Sequence, residues 1–281
     1  MTLDDTPQVS VCVPTYLGAQ HIPATINSVL EQSFTDFELV IIDDNSPDQT
    51  EQMVAKFHDP RIRYHRNRTN LGPEGNWNRC LQECKGQYFK LLPHDDLLYP
   101  DTLKRQVEIL ENDKKLQLAL VFGKRNIIDT NDKVITQRGY PAGKEGVIPA
   151  RQLIHQCVRF GTNLIGEPGG VLMRKSLADR VGAFDGDISY VIDLDYWIRL
   201  LNFGDAYYLN EPVSTFRVFP GSWSVKIGTM QGKEYCQFIN KMAKISRHKI
   251  NSTDCLMGKV SAHINNIMRL IFYKFYLKKT S

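Results

Sequence analysis

The sequence predicts an α/β fold built on a doubly wound, mixed but mostly parallel β-sheet. The first observation is that short β-branched runs alternate with amphipathic helical segments over the first 128 residues. The second is that FELVIIDD is apolar almost throughout, as in a strand that helices cover on both faces. Alternation at this pace is typical of parallel strands joined by right-handed helical crossovers.

The composition indicates a globular protein without a nucleic-acid partner. The chain has 281 residues, of which 42% are hydrophobic and 23% charged, enough to bury a sizeable core. The net charge of +4 is a mild excess, and Lys and Arg are dispersed over the body of the chain.

The sequence contains no targeting or redox signal. Its six cysteines lack paired metal spacing, and MTLDDTPQVS lacks the basic and apolar pattern of a signal peptide. No apolar run is long enough to span a bilayer. We therefore expect a reduced, cytoplasmic protein, with the inner face of the membrane as the alternative location.

The elements of the first half follow from these patterns in order. The predicted strands are VSVCV (9–13), FELVIIDD (37–44), RIRYHRN (61–67), QYFKLLP (87–93) and LALVFGKRNII (118–128). The predicted helices are IPATINSVLEQS (22–33), PDQTEQMVAKF (47–57), GNWNRCLQEC (75–84) and DTLKRQVEILEND (101–113). Further along, residues 139–181 contain a short helix, and YVIDLDYWIRLL (190–201) is helical.

Polar loops follow the first four predicted strands. They are PTYLGAQ (14–20), DDNSPD (43–48), NRTNLG (67–72) and PHDD (93–96). Any one of them alone is an ordinary turn. Because the carboxyl ends of parallel strands meet at one edge of a sheet, the four together predict a ligand site.

Two adjacent carboxylates, Asp95 and Asp96, indicate what this site binds. Two like charges at such a short distance repel each other unless water, hydrogen bonds or a cation compensates the repulsion. Carboxylates also repel phosphate unless Mg²⁺ or Mn²⁺ stands between them. The pair is therefore either a solvated turn or part of a site for a divalent cation and a phosphorylated ligand.

Several segments in fixed order resemble a known family. VSVCVPTY, SVLEQSFTDFELVIIDDNSPDQT, NLGPEGNWNRCL and GQYFKLLPHDDLLYPDTL are similar to the nucleotide-binding half of the inverting GT-A glycosyltransferases of the large family 2. The similarity resumes at GEPGGVLMRKSLADRVGAFD and VIDLDYWIRLLNFGDAYYLNEPVSTFRVFPGSWS, so it covers most of residues 9–224. It implies a nucleoside-diphosphate-sugar donor, a divalent cation (Mn²⁺ or Mg²⁺) and single displacement with inversion.

The resemblance also divides the chain. Residues 1–224 form the GT-A domain, with a nucleotide-sugar-binding half (9–103) and an acceptor and catalytic half (104–224). Residues 225–281 form a C-terminal helical extension outside the resemblance.

The resemblance implies a set of nucleotide-sugar-binding residues. They are Pro14, Thr15, Tyr16, Asp44, Asn70, His94, Asp95, Asp96 and Arg217. Pro14 and Tyr16 match a loop that packs against the base, and Asp44 matches the residue that bonds it, usually uracil. Asp95 matches the metal-ligating aspartate, although Pro93 replaces the first aspartate of the D-x-D motif. Arg217 is expected to reach the diphosphate.

The family's catalytic E-D pair matches Ile192 and Asp193, so the glutamate is lost and the aspartate kept. Asp193 is the implied general base at the start of a helix, where the macrodipole favours ionisation. A helix N-cap is the alternative interpretation of Asp193, and Asp195 is the rival base.

The acceptor side is implied to include Glu167, Gly169 and Gly170. Glycine would let the backbone approach a sugar closely, and Glu167 would orient an acceptor hydroxyl or else lie in solvent. The resemblance also implies a carbohydrate or lipid-linked saccharide acceptor, in synthesis of cell-surface polysaccharide or glycolipid.

Two helices are predicted after residue 224, at Gln231–His248 and Met257–Lys279. The second carries Ile264, Ile267, Met268, Ile271, Phe272 and Phe275, with Lys274, Lys278 and Lys279. Packing on the catalytic domain is the favoured role. Contact with an anionic membrane surface and homodimerisation are the alternatives.

Other function classes fit less well. A sugar-phosphate nucleotidylyltransferase would open with a Gly-rich basic loop after the first strand, and a dinucleotide oxidoreductase with G-x-G-x-x-G; PTYLGAQHIP is neither. A non-catalytic nucleotide-sugar-binding protein remains the alternative, because Pro93 and Ile192 depart from the family pattern.

Overall fold

The computed structural model describes residues 6–141 and 143–277. The strands are β1 (Val9–Thr15), β2 (Phe37–Asp43), β3 (Ile62–Arg66), β4 (Tyr88–Leu91), β5 (Leu118–Ile128), β6 (Val134–Arg138), β7 (Gly146–Ile148), β8 (Val171–Arg174) and β9 (Asp205–Arg217). The helices are α1 (Ile22–Leu30), α2 (Thr50–Val54), α3 (Gly72–Glu83), α4 (Thr102–Asn112), α5 (Ala150–Phe160), α6 (Lys175–Val181), α7 (Ile192–Leu200), α8 (Trp223–Lys226), α9 (Gln231–Ile245) and α10 (Ser252–Leu277). Two 3₁₀ turns lie at Pro168–Gly170 and Ser189–Val191.

One sheet contains all of these strands. Its order is β3-β2-β1-β4-β8-β5-β9-β7, and β6 pairs with β5. The pairs among β1 to β4 are parallel, whereas β8 is antiparallel to both β4 and β5. The structure therefore confirms the predicted mixed, mostly parallel sheet.

The core lies on both faces of this sheet because side chains alternate along the buried strands. Val9, Val11 and Val13 of β1 face one hydrophobic cluster, and Cys12 faces the other. This arrangement requires helices on both sides and leaves the carboxyl edge as the place where the polar loops meet.

The predicted elements of the first half all exist, with shifted ends. Helix α2 keeps only five of the predicted eleven residues, and α3 begins three residues earlier than predicted. In the C-terminal part, α10 begins at Ser252, five residues before the predicted start. Lys278 and Lys279 lie outside the described residues.

Helices α9 and α10 pack on the body of the molecule. Tyr235, Phe238, Ile239 and Met242 of α9 belong to the same hydrophobic cluster as α5 and α7. Helix α10 also packs on α5 and α9, but it does so through a face other than the predicted apolar one. The residues expected to form its packing face, Ile264, Ile267, Met268, Ile271 and Phe275, are exposed, so that part of the prediction is wrong. Within the described residues, none of the helices combines the length and the apolar character needed to cross a membrane.

Candidate active site

The backbone of the loop after β1 is hydrogen-bonded to side chains between β2 and the start of α2. The Leu17 and Gly18 N–H groups donate to Ser46 Oγ (3.0 Å) and Thr50 Oγ1 (3.0 Å). The Ala19 N–H donates to Asp48 Oδ2 (3.1 Å). These bonds fix the backbone where β1 ends, so this edge of the site is formed before any ligand binds.

Tyr16 presents its ring at this edge. Its side chain is 44% exposed, whereas Pro14 and Thr15 are buried in β1. The Thr15 hydroxyl has no hydrogen-bond partner among the described residues and lies close to Gly18. Tyr16 is therefore available to a flat ligand, while Pro14 and Thr15 support it from below.

Asp44 is buried and already hydrogen-bonded. Its Oδ1 accepts from Leu71 N (2.8 Å) and Asn67 Nδ2 (2.7 Å), and its Oδ2 accepts from Gly72 N (2.9 Å). The predicted contact with a base stays a prediction. What the structure shows is that Asp44 holds the loop after β3 against the end of β2.

Asn70 and Arg79 border the same network. Asn70 is exposed, and its amide donates to Asp44 O (3.2 Å). Arg79 donates to Asn67 Oδ1 and lies 3.6 Å from Glu83. We did not predict Arg79 as a site residue, although it occurs in the quoted segment NLGPEGNWNRCL, because a charged helical residue is usually solvated.

Asp95 and Asp96 lie at the end of β4 and differ in environment. Asp96 is 2% exposed, and its Oδ1 accepts from Arg217 N (2.8 Å). Burial, together with the neighbouring charge of Asp95, raises the pKa of Asp96. Asp95 is partly exposed, and none of the described residues donates a hydrogen bond to its carboxylate. Asp95 is thus the carboxylate of the pair that is available to a cation.

The predicted contact of Arg217 with a diphosphate stays a prediction. The Arg217 side chain is buried, and it donates to Asp95 O (2.7 Å) and Asp129 O (2.8 Å) while Nη2 lies 2.6 Å from Asp132 Oδ1. Each of the three side-chain nitrogens contacts a protein oxygen, which uses three of the five N–H donors of the guanidinium. Arg217 fixes the backbone of the acidic pair.

Two histidines lie beside the acidic pair. His94 is partly exposed, and its carbonyl accepts from Thr25 Oγ1 (2.7 Å). The His21 ring contacts Phe219 with a centroid distance of 5.2 Å, and its Nε2 has no partner among the described residues. Burial and the charge of Arg217 lower the pKa of His21.

The residues fit a divalent cation that arrives with its ligand. Among the described residues, no group of three or more His, Cys, Asp and Glu side chains is placed to hold a metal ion. Mg²⁺ in proteins is commonly bound by one or two carboxylates together with substrate phosphates. Asp95, an available carboxylate at the strand end, suits that mode.

Asp193 lies at the second position of α7 and is not its N-cap. The N-cap is Val191, and it makes no side-chain capping bond. Asp193 Oδ2 accepts from Asn163 Nδ2 (3.0 Å) and Oδ1 accepts from Leu194 N (2.7 Å). Burial, reinforced by the charge of Glu167, raises the pKa of Asp193 to about 7.

Asp195, the rival base, is committed to ion pairs. Its two oxygens lie 2.7 Å from Arg199 Nε and 2.7 Å from Lys241 Nζ, and the residue is buried. Its position therefore indicates a structural role that ties α7 to α9.

Glu167 is not a solvated loop residue. Its Oε2 lies 2.5 Å from Arg125 Nε, whose side chain is buried in β5. We did not predict Arg125, although a charged residue within the apolar run LALVFGKRNII is the signal that could have identified it. The pair stands beside Asp193, since the charges of both influence its pKa.

The predicted acceptor-side role of Gly169 and Gly170 stays a prediction. Both are buried, and a Cβ on Gly169 would lie 2.9 Å from Leu92 Cδ1. The Gly169 carbonyl accepts from Lys90 Nζ (2.8 Å) and the Gly170 carbonyl from Gln106 Nε2 (2.9 Å). Gly169 therefore leaves little room for a side chain beside Leu92, whereas a Cβ on Gly170 would make an ordinary contact with Ser214 Oγ of β9 (3.4 Å).

Known proteins are similar to this chain over 45% to 92% of its length. The sequence profile of Glycosyl transferase family 2 matches residues 10–182. An uncharacterized protein of Mycobacterium tuberculosis is 32% identical over 69% of this chain, and the match spans 62% of that protein. An uncharacterized glycosyltransferase of Rickettsia typhi is 26% identical over 92% of this chain and 77% of its own length. The Escherichia coli enzyme WfgD, a UDP-Glc:alpha-D-GlcNAc-diphosphoundecaprenol beta-1,3-glucosyltransferase, is 32% identical over 45% of this chain and 49% of its own length.

Two solved structures share the fold. Staphylococcus aureus TarS 1-349 in complex with UDP-GlcNAc superposes with a TM-score of 0.63 at 19% identity, over 92% of this chain and 80% of that one. The mannosyltransferase PcManGT of Pyrobaculum calidifontis, in complex with GDP-Man and Mn²⁺, has a TM-score of 0.63 at 18% identity, over 92% and 71%.

Proposed function

The chain belongs to glycosyl transferase family 2 and has the GT-A fold, and from that premise we propose that it transfers a sugar from a UDP-sugar to an acceptor hydroxyl with inversion. The relatives include a glucosyltransferase with a diphosphoundecaprenol-linked acceptor, and one fold neighbour binds UDP-GlcNAc. We propose a lipid-linked or free saccharide acceptor in polysaccharide or glycolipid synthesis.

The donor half of the site supports a nucleotide. Tyr16 offers an exposed ring for a base, and the Asp44 network forms a polar wall beside it. Asp44 still has lone pairs for the imide N–H of uracil, which cytosine lacks. We therefore propose a preference for uracil over cytosine, with guanine or thymine as the alternatives.

A divalent cation would be held at the end of β4. When bound, Mn²⁺ or Mg²⁺ neutralises charge on the diphosphate. Asp95 would hold it, and Arg217 keeps the Asp95 backbone in place through the 2.7 Å bond to its carbonyl.

Asp193 carries the proton transfer in this proposal. The attacking acceptor hydroxyl must lose its proton, and a carboxylate with a pKa of about 7 accepts it efficiently at neutral pH. Asn163 and the Leu194 N–H orient the two carboxylate oxygens. One carboxylate is enough for single displacement, since no covalent intermediate has to be formed.

The observation that carries the proposal is the contrast among the acidic residues of the site. Asp96 and Asp195 are buried, and their carboxylates are bonded to other residues of the protein. The carboxylate of Asp95 is available to a cation, and the pKa of Asp193 is raised to about 7. An inverting transferase needs one carboxylate that can bind the cation and one that can accept a proton near neutral pH. We propose Asp95 and Asp193 for these two roles.

The test is hydrolysis and transfer with a panel of UDP-, GDP-, CDP- and dTDP-sugars in Mn²⁺ and in EDTA. We expect turnover with UDP-sugars that EDTA abolishes. Binding of UDP by calorimetry without turnover of any sugar would instead favour the non-catalytic alternative. Turnover that is equal in Mn²⁺ and EDTA would contradict the role of the cation.

A further inference from the structure

Helix α10 presents a long exposed apolar stripe. Ten side chains from Leu256 to Phe275 are exposed, and the only polar ones among them are His263 and Lys274. The apolar members of the stripe are Leu256, Met257, Val260, Ile264, Ile267, Met268, Ile271 and Phe275. At the helical rise the stripe extends for roughly 30 Å.

The opposite face of α10 holds the helix to the protein. Asp254, Gly258, Ala262 and Asn266 recur every fourth residue and are buried. A Cβ on Gly258 would lie 2.1 Å from the Val158 carbonyl oxygen of α5, so the two helices are in backbone contact. The stripe is therefore not needed for packing, and an exposed apolar surface of this extent marks an interaction site.

Charge is divided unequally along the chain. Residues 225–281 contain 11 Lys and Arg and two Asp and Glu, a net charge of +9. Residues 1–224 contain 24 Lys and Arg and 29 Asp and Glu, a net charge of −5. The apolar stripe thus belongs to a strongly positive segment of an otherwise negative molecule.

We propose that the stripe of α10 docks the protein on the surface of an anionic lipid bilayer. An amphipathic helix of this kind lies in the membrane interface with its apolar side chains among the acyl chains and its basic residues near anionic headgroups. A second copy of the chain, placed stripe to stripe, would bring a second +9 segment against the first. Charge complementarity therefore favours lipid over self-association.

The protein-facing side of α10 contacts a segment that leads to the candidate active site. Arg269 of α10 donates to the Tyr190 hydroxyl and to Gln231 Oε1. Tyr190 lies in the 3₁₀ turn that leads directly into α7 and Asp193. Docking would hold this side of the molecule near the lipid surface, although the docking itself does not depend on the proposed reaction.

The experiment measures sedimentation of the full chain with vesicles. Vesicles of phosphatidylcholine alone are compared with vesicles that contain one third phosphatidylglycerol, at low and at high salt. The test variant is Ile264→Glu/Ile267→Glu, and the control is Val147→Glu, whose side chain on β7 is as exposed (58%) as Ile267 (57%). Circular dichroism checks that each variant is folded, and Phe275→Ser serves as a second stripe variant.

We expect the wild type and Val147→Glu to bind the anionic vesicles, and we expect this binding to weaken in high salt. The partition coefficient of the stripe variants should be at least tenfold lower. No binding of the wild type to anionic vesicles would overturn the proposal, as would equal binding by folded stripe variants. A dimer in solution that the stripe variants dissociate, with vesicle binding unchanged, would assign the stripe to self-association instead.

Discussion

Asp95 is distinguished from Asp96 by the availability of its carboxylate, and this difference is testable. Asp95→Asn removes the charge that a cation would need, so UDP should bind more weakly in Mn²⁺. We expect the affinity to fall by tenfold or more, which corresponds to a loss of about 1.4 kcal/mol or more in binding free energy. In EDTA the two proteins should bind UDP alike. Calorimetry in both buffers decides, and equal affinities in Mn²⁺ would contradict the proposed binding of a cation by Asp95.

Asp193 gives a pH signature. Because burial raises its pKa to about 7, kcat/KM should rise as pH increases through about 7 and then level off. Asp193→Asn should keep UDP binding and lower turnover by roughly a hundredfold or more. The control is Asp195→Asn, which loses two ion pairs and should mainly lower stability. A folded Asp195→Asn protein without turnover, beside an active Asp193→Asn protein, would reassign the base.

The same residue should also affect stability in a pH-dependent way. A carboxyl whose pKa is raised on folding contributes stability that is present below about pH 4 and is lost as pH rises through about 7. Asp193→Asn should therefore raise the melting temperature, relative to wild type, more at pH 8 than at pH 5. A difference that does not change with pH would mean that the carboxylate is not destabilised by burial.

At the level of elements, β4 contains a buried lysine that holds the 3₁₀ turn at Pro168–Gly170. Lys90 donates to Gly169 O (2.8 Å) and Val171 O (3.0 Å), and burial lowers its pKa to about 7. The folded protein loses this proton near pH 7, whereas the unfolded chain keeps it up to about pH 10. The free energy of unfolding of the wild type should therefore rise relative to that of Lys90→Met between pH 7 and pH 9, by roughly 2 kcal/mol. Urea unfolding at both pH values measures the gain.

The exposed Lys104→Met variant is the control for Lys90→Met, because its side chain lies in water and should show no such trend. If Lys90→Met and wild type instead keep a constant difference in the free energy of unfolding across this range, Lys90 stays charged in the folded protein. Its two bonds to backbone carbonyls would then be charge-assisted.

Elements were predictable where the pattern is local. The strands of the first half were found because each is a short apolar run between turn residues, as in VSVCV and FELVIIDD. The contacts that could not be predicted join residues that are distant in sequence. Arg217 bonds the Asp95 carbonyl, and Gly169 packs against Leu92. No local sequence pattern reveals such pairs. A family motif indicates which position a residue occupies, but it does not indicate which hydrogen bonds the residue makes.

At the scale of the whole molecule, the C-terminal extension is part of the core that supports the site. Phe238 of α9 is fully buried in the cluster that includes α5 and α7, whereas Phe275 of α10 is 70% exposed. Phe238→Ala should therefore lower the free energy of unfolding by about 3 kcal/mol, and Phe275→Ala by less than about 0.5 kcal/mol. Chemical denaturation measures both, and equal losses would contradict the buried position of α9.

The unequal charge of the two parts also affects how copies of the protein meet in solution. The positive segment of one molecule attracts the negative body of the next, a head-to-tail contact that does not close on itself and can propagate. Such attraction extends about 30 Å at 0.01 M salt and only about 8 Å at 0.15 M. We expect light scattering to rise reversibly when salt is removed, so colloidal stability, like docking, should depend on ionic strength.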